Sequence, residues 1–224
     1  MLPAPEAVPT VERPAPAPRG VDLGDEVVAG ADADPCVTRV RQALADSGAE
    51  ADVVVLDHAP RSPEDLADEL GVPLGALVRC HLLLVEAADL TAPSATSYGG
   101  GLDEPSDPVP AAGDGDPARA VLVLAARERR LLAADVAEAV AGLGVDGVRH
   151  ATEGEVRALT GCSTQDLPPT GLPGDCVDVE AVLVDTALGD HAVLWAPAGR
   201  PGTALSTSYG ELLRITLGHP VALS

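Results

Sequence analysis

The sequence predicts a mixed α+β fold of the α/β class. Three observations carry this. Apolar, β-branched stretches alternate with stretches of helical spacing. Several of the apolar stretches follow one another across short turns, which argues against a doubly wound parallel sheet. Of the 224 residues 46% are hydrophobic, enough to build one core.

In chain order, Met1 to about Asp34 carries Pro3, Pro5, Pro9, Pro14, Pro16 and Pro18 and reads as a disordered Pro/Ala-rich tail, with the domain over 35–224. Val37, Val40, Ala43 and Leu44 place one helical face over Val37–Ser47, with Gly48 as the cap. Ala51–Leu56 reads as a strand. Ser62-Pro63-Glu64-Asp65 opens a helix that carries Leu66, Ala67 and Leu70 and stops at Gly71. Ala76–Val85 and Ala118–Ala125 are apolar strands. Between them 86–117 is rich in Gly, Pro, Asp and Ser and reads as a flexible insertion.

Leu131–Ala141 has helical spacing and stops at Gly142. Val148–His150 is a short strand, and Thr152–Glu155 is a capping box that opens a helix ending at Gly161. A Pro/Gly loop spans Cys162–Gly174. Val177–Val184 and His191–Trp195 are predicted strands joined by a turn at Gly189-Asp190. A strand at Thr203–Thr207 is followed by a second capping box, Ser208–Glu211, and a helix through Leu217.

Composition removes several function classes. The formal net charge of -21 argues against wrapping duplex DNA, which requires Lys and Arg to neutralise phosphates. All fourteen basic residues are Arg, so Schiff-base lysine chemistry is out of reach. Cys36, Cys80, Cys162 and Cys176 form no CxxC pair and fit no zinc spacing; they read as structural thiols of a reducing, cytoplasmic protein. No metal ligand set and no cofactor motif is expected. The first twenty residues lack the apolar region of a signal peptide, and no apolar run is long enough for a membrane span.

From His58 onward five stretches, in order, resemble one family. They are His58 with the capped helix Ser62–Gly71; Ala76-Leu77-Val78-Arg79-Cys80; Glu155-Val156-Arg157-Ala158-Leu159-Thr160-Gly161; Leu167-Pro168-Pro169-Thr170-Gly171-Leu172; and Val182-Leu183-Val184-Asp185 followed by Ala198-Gly199-Arg200 and the closing helix. The chain thereby resembles the YbaK/ProX-type editing domains, which are similar to the domain inserted in bacterial prolyl-tRNA synthetases. That resemblance implies a mixed, mostly antiparallel sheet flanked by helices. It also implies a free-standing deacylase that cleaves the ester of mischarged tRNA without a cofactor, with the tRNA 3′ end as partner, alone or together with a synthetase.

The resemblance also implies a site. Arg79 would grip the tRNA end, and loop amides around Pro169 and Gly171 would meet the aminoacyl carbonyl. His58, Gln165, Thr170, Asp185 and Gly199 would complete the binding of substrate. Much of the chemistry in the family is substrate-assisted, which suits a chain with no obvious triad. Two positions depart from the family. Its strand lysine is Arg79 here, which stays charged, and a loop glycine is Gln165.

Plainer roles compete at several positions. His58 could make an ordinary hydrogen bond at a strand end, and Asp185 could cap a turn. Cys162 could line the pocket or be a buried inert thiol. Arg127, Arg129 and Arg130 form the one dense basic patch, open to tRNA phosphates or simply solvated. Three functions follow: a trans-acting deacylase, a catalytically degenerate editing fold that binds a nucleotide, an aminoacyl group or a protein, and an interaction protein working through its tail and insertion.

Overall fold

The computed structural model describes residues 33–56, 58–85, 117–131, 133–142 and 147–223. Most of the predicted tail and the insertion, at 1–32 and 86–116, lie outside the described residues.

Helix α1 (Pro35–Ser47) starts because the Asp34 carboxylate accepts from the Cys36 amide at 2.9 Å and Pro35 occupies the first turn. Its buried side chains are Cys36, Val37, Val40 and Leu44, one face of a 3.6-residue period. Gly48, at φ 59°, ends it. Strand β1 (Asp52–Val55) follows. Helix α2 (Pro63–Leu70) is capped by Ser62, which accepts from the Asp65 amide, and is closed by Gly71 at φ 66°. A 3-10 turn (Leu74–Ala76) leads into β2 (Val78–Val85).

Strand β2 pairs antiparallel with β3 (Ala118–Ala126), placing Arg79 opposite Ala125 and His81 opposite Val123. Both faces of β3 are covered, which explains its unbroken apolar run from Ala120 to Ala126. Helix α3 (Ala133–Gly142) precedes β4 (Val148–His150), which adds antiparallel to the other edge of β2. Helix α4 (Glu153–Thr160) carries the complete Thr152/Glu155 capping box. Strand β5 (Val177–Asp185) lies parallel to β3, with a register shift at Ala120/Val121.

The chain then departs from the sequence expectation. Val177–Val184 and the next strand do not form one hairpin. The Asp185 carboxylate accepts from the Ala187 amide and opens a 3-10 turn, Thr186–Asp190. That turn carries the chain into a second sheet, where β6 is Leu194–Pro197. Strand β7 (Thr203–Thr207) pairs with β6 and β1 in the order β1-β7-β6.

Helix α5 (Tyr209–Thr216) is capped by Ser208, but only half of the predicted box forms. The Glu211 carboxylate instead accepts from the Glu50 amide at 2.8 Å and from Arg214. A last strand, β8 (His219–Val221), pairs parallel with β5 and completes the five-stranded order β4-β2-β3-β5-β8. Sequence reading missed it because three residues containing Pro220 carry no period.

The sheets are antiparallel in four of six pairings, so the fold is mixed and mostly antiparallel, as predicted. A parallel bridge between Leu77 and Trp195 joins the two sheets. The main core lies on one face of the large sheet, where Cys80, Leu122 and Val184 pack with Val40, Val156 and Leu212. The opposite face is covered by Val136 and Val140 of α3. A smaller cluster of Ala67, Leu77, Trp195 and Ala204 fastens α2 to the small sheet.

Candidate functional site

Where the two sheets meet, they leave a cavity of about 630 Å³. Its wall is set by the fold just described. Leu77 and Arg79 come from the start of β2, Trp195 from β6, and Ser62 with Pro63 from the first turn of α2. Leu56, Leu66 and Trp195 make much of it apolar, while Arg61, Arg79 and Arg127 bring guanidinium groups.

Arg79 is half-buried on an apolar strand, and the small Ala125 opposite it leaves room for its stem. Its Nε is buried and makes no hydrogen bond among the described residues. A buried donor without a partner is costly, and a ligand that accepts from it removes the cost. Arg127 enters the cavity from the end of β3, where its amide donates to the Leu77 carbonyl at 2.8 Å. Its Nη2 donates to Gln165 Oε1 at 2.6 Å. Burial, and then the charge of neighbouring Arg79, lowers the pKa of Arg127. Two like charges in a partly desolvated cavity favour an anionic ligand.

Asp166 is the one carboxylate on the wall among the described residues. Its Oδ2 accepts from Ser163 Oγ at 2.6 Å, and its amide donates to the same hydroxyl at 3.2 Å. Burial raises its pKa, opposed by the Ser163 hydrogen bond and by the charges of Arg127 and Arg200.

The residues singled out in the sequence separate into distinct places. Arg79 and Gln165 line the cavity together. His58 is exposed beside it, with Nε2 3.6 Å from Glu69 Oε2. Pro169 is buried and Thr170 half-buried, and neither lines the cavity. Gly171 (φ 76°) lies against α1, where a Cβ would come within 2.8 Å of the Arg39 and Val40 backbone. Gly199 (φ 105°) lies against the same helix, and a Cβ there would meet Cys36 Cβ at 2.7 Å. Both glycines therefore let the chain approach α1 closely. Asp185 is buried at the end of β5, 3.7 Å from Arg129 Nε.

Among the charged residues of the wall, Arg61, Arg127 and Asp166 are the ones that sequence reading did not single out for the site. The basic cluster itself was visible, but its members diverge. Arg127 turns into the cavity, whereas Arg129 donates to the Leu223 carbonyl. The available signal was an arginine placed directly after the strand that pairs with the Arg79 strand.

None of the four cysteines lines the cavity. Burial pushes the Cys80 thiol up, and burial, then Cys36, pushes Cys162 up to about 12. Such thiols are poor nucleophiles at neutral pH. Among the described residues no group of three His, Cys, Asp or Glu side chains could hold a metal ion. No described helix is long and apolar enough to cross a membrane.

Comparison with known proteins agrees with this fold. The aminoacyl-tRNA editing domain family matches residues 111–215, a little under half of the chain. That match upholds the resemblance read from the sequence. Among solved structures, a candidate trans-editing enzyme for prolyl tRNA synthetase superposes with a TM-score of 0.62 at 23% identity, covering 85% of this chain and 98% of that one. A hypothetical protein gives 0.61 at 20% identity, with 83% and 98% covered. A scaffold protein used in computational epitope grafting gives 0.61 at 22% identity, with 85% and 98% covered. At these identities the likeness establishes the fold. A search of curated proteins finds no match.

Proposed function

We propose that this chain is a trans-acting aminoacyl-tRNA deacylase, acting in the cytoplasm without a cofactor on the 3′ end of mischarged tRNA. The observation that carries the reading is the cavity itself. It sets two half-buried arginines, one with an unpartnered Nε, against an apolar wall. An aminoacyl ester on a tRNA end has matching parts: phosphate oxygens, an ester carbonyl and a small side chain.

In this reading Arg79 and Arg127 hold the terminal phosphate or the ester oxygen, and their charge stabilises the oxyanion as it develops. Water adds to the carbonyl carbon and the ester C–O bond breaks. The ribose oxygen takes up a proton, releasing free amino acid and uncharged tRNA. The substrate's own ribose hydroxyl orients the water, as the resemblance to the editing domains implies. Pro169, Thr170, Gly171 and Gly199 contribute by fixing the loop against α1, and His58 and Asp185 support the rim and the end of β5. Gln165 contributes by holding the Arg127 guanidinium. A synthetase that recruits the chain would offset its formal charge of -21 near tRNA.

The test is release of amino acid from a panel of mischarged tRNAs, with Arg79→Lys and Arg79→Ala beside the wild type. Turnover of at least one tRNA is expected. The alanine variant should lose about ten- to a thousandfold in kcat/KM and the lysine variant less. A fully intact panel at high protein concentration would reject the deacylase. Tight binding of the tRNA end without turnover would instead favour the degenerate binding fold, a reading supported by the departures at Arg79 and Gln165.

A further inference from the structure

The cavity is not uniformly cationic, and the one acid among the described residues of its wall has a defined setting. Asp166 sits on the loop side, facing a wall that otherwise brings Arg61, Arg79 and Arg127. Ser163 fixes Oδ2 at 2.6 Å, while Oδ1 makes no hydrogen bond among the described residues. Among the described residues no ion pair joins Asp166 to a guanidinium within 4.0 Å, although the charges of Arg127 and Arg200 reach it. A half-buried carboxylate with a free oxygen and a fixed orientation is a receptor for a cationic donor.

An aminoacyl ester carries such a donor. Its α-ammonium lies two bonds from the ester carbonyl carbon, and it titrates near or below the ~7.7–8.0 of an ordinary α-amino group. Among arginines that ammonium is repelled everywhere except at a carboxylate. We propose that Asp166 reads the free α-ammonium of the bound ester, so that the cavity takes aminoacyl esters and rejects N-blocked ones such as peptidyl or N-acetylaminoacyl esters. The inference rests on the deacylase reading for its ligand. Burial of the carboxylate, which disfavours its charge, is offset when the ammonium arrives. An N-acyl group removes the charge and adds bulk on the same side, so both effects act in one direction.

The experiment measures binding, so that turnover is not needed to decide it. The probes are 3′-alanylamido-3′-deoxyadenosine, whose amide resists hydrolysis, and its N-acetyl derivative. Binding is followed by calorimetry and by the fluorescence of Trp195, the single tryptophan, which lies in the wall. The wild type should bind the free-amine probe about ten- to a hundredfold more tightly than the acetylated one. Asp166→Asn should bring the two affinities together by weakening the free-amine probe, and Asp166→Glu should restore part of the preference.

Equal affinities in the wild type, or an undiminished preference in a folded Asp166→Asn protein, would overturn the inference. The wild-type comparison decides alone if that variant does not fold. A free-amine preference lost on Asp166→Asn, alongside an intact panel of mischarged tRNAs, would leave the ammonium site standing and remove the deacylase. Failure of both probes to bind would overturn the inference, while the panel of mischarged tRNAs decides the deacylase separately.

Discussion

Arg79 sits on an apolar strand, and Ala125 opposite it is too small to cover its stem. A protein keeps an arginine with a buried, unpartnered Nε in such a place when something outside the chain completes its bonding. His81, two residues on and on the same face, feels that charge. Burial first, then Arg79 and His150, lowers its pKa from 6.5 to about 4. The sign of the consequence is definite. Between these values the unfolded chain binds the proton and the native chain does not, so stability rises with pH there. It is complete above about 6.5 and is lost as pH falls towards 4. Chemical denaturation across this range should show that slope, and His81→Gln should flatten it. A second loss follows at lower pH, where Glu155, held to about 2 chiefly by its hydrogen bond from Arg149, finally protonates.

At the scale of elements, the loop 162–174 is held by its own Ser163–Asp166 hydrogen bonds and by its contact with α1, where Arg39 Nε donates to the Gly171 carbonyl at 3.3 Å. Gly171 touches the helix backbone at a left-handed φ, so Gly171→Ala meets both backbone strain and a clash at 2.8 Å. The expected loss is about 2–4 kcal/mol, read as a drop in urea midpoint at constant slope. Helix α5 offers the opposite test. It ends on Leu217, which is left-handed at φ 51° and 84% exposed. Leu217→Gly removes that strain and one exposed apolar side chain, and should raise stability by about 0.5–1 kcal/mol in the same assay.

The elements also show what a sequence can and cannot display. Ser62 and Thr152 were legible as helix starts because a cap is a local hydrogen bond between near neighbours. The route from β5 to β6 was not, because a 3-10 turn capped by Asp185 looks in sequence like a tight hairpin turn. Glu211 had the spacing of a capping box, but Glu50 and Arg214, fixed only by the tertiary fold, claim its carboxylate.

For the molecule as a whole, function depends on two sheets meeting at the Leu77–Trp195 bridge. That junction brings Arg79, Arg127 and Asp166 to one cavity from three separate segments. Arg79 was legible as a polar residue out of place on an apolar strand. Arg127 was legible only as one member of a basic cluster, and Asp166 was not legible, since it looks like one more surface charge until its segment is placed. Gly171 was read as a close backbone approach to a ligand, but the close approach it makes is to α1, which appears only once both are folded. The central claim is that Arg79 and Arg127 act together on one ligand. The most direct measurement is a double-mutant cycle on the single-turnover deacylation rate, using Arg79→Ala, Arg127→Ala and both together. Each single variant should lose about tenfold or more, with a combined loss smaller than their product because the arginines share a substrate group. A double variant that deacylates at the wild-type rate would contradict the account.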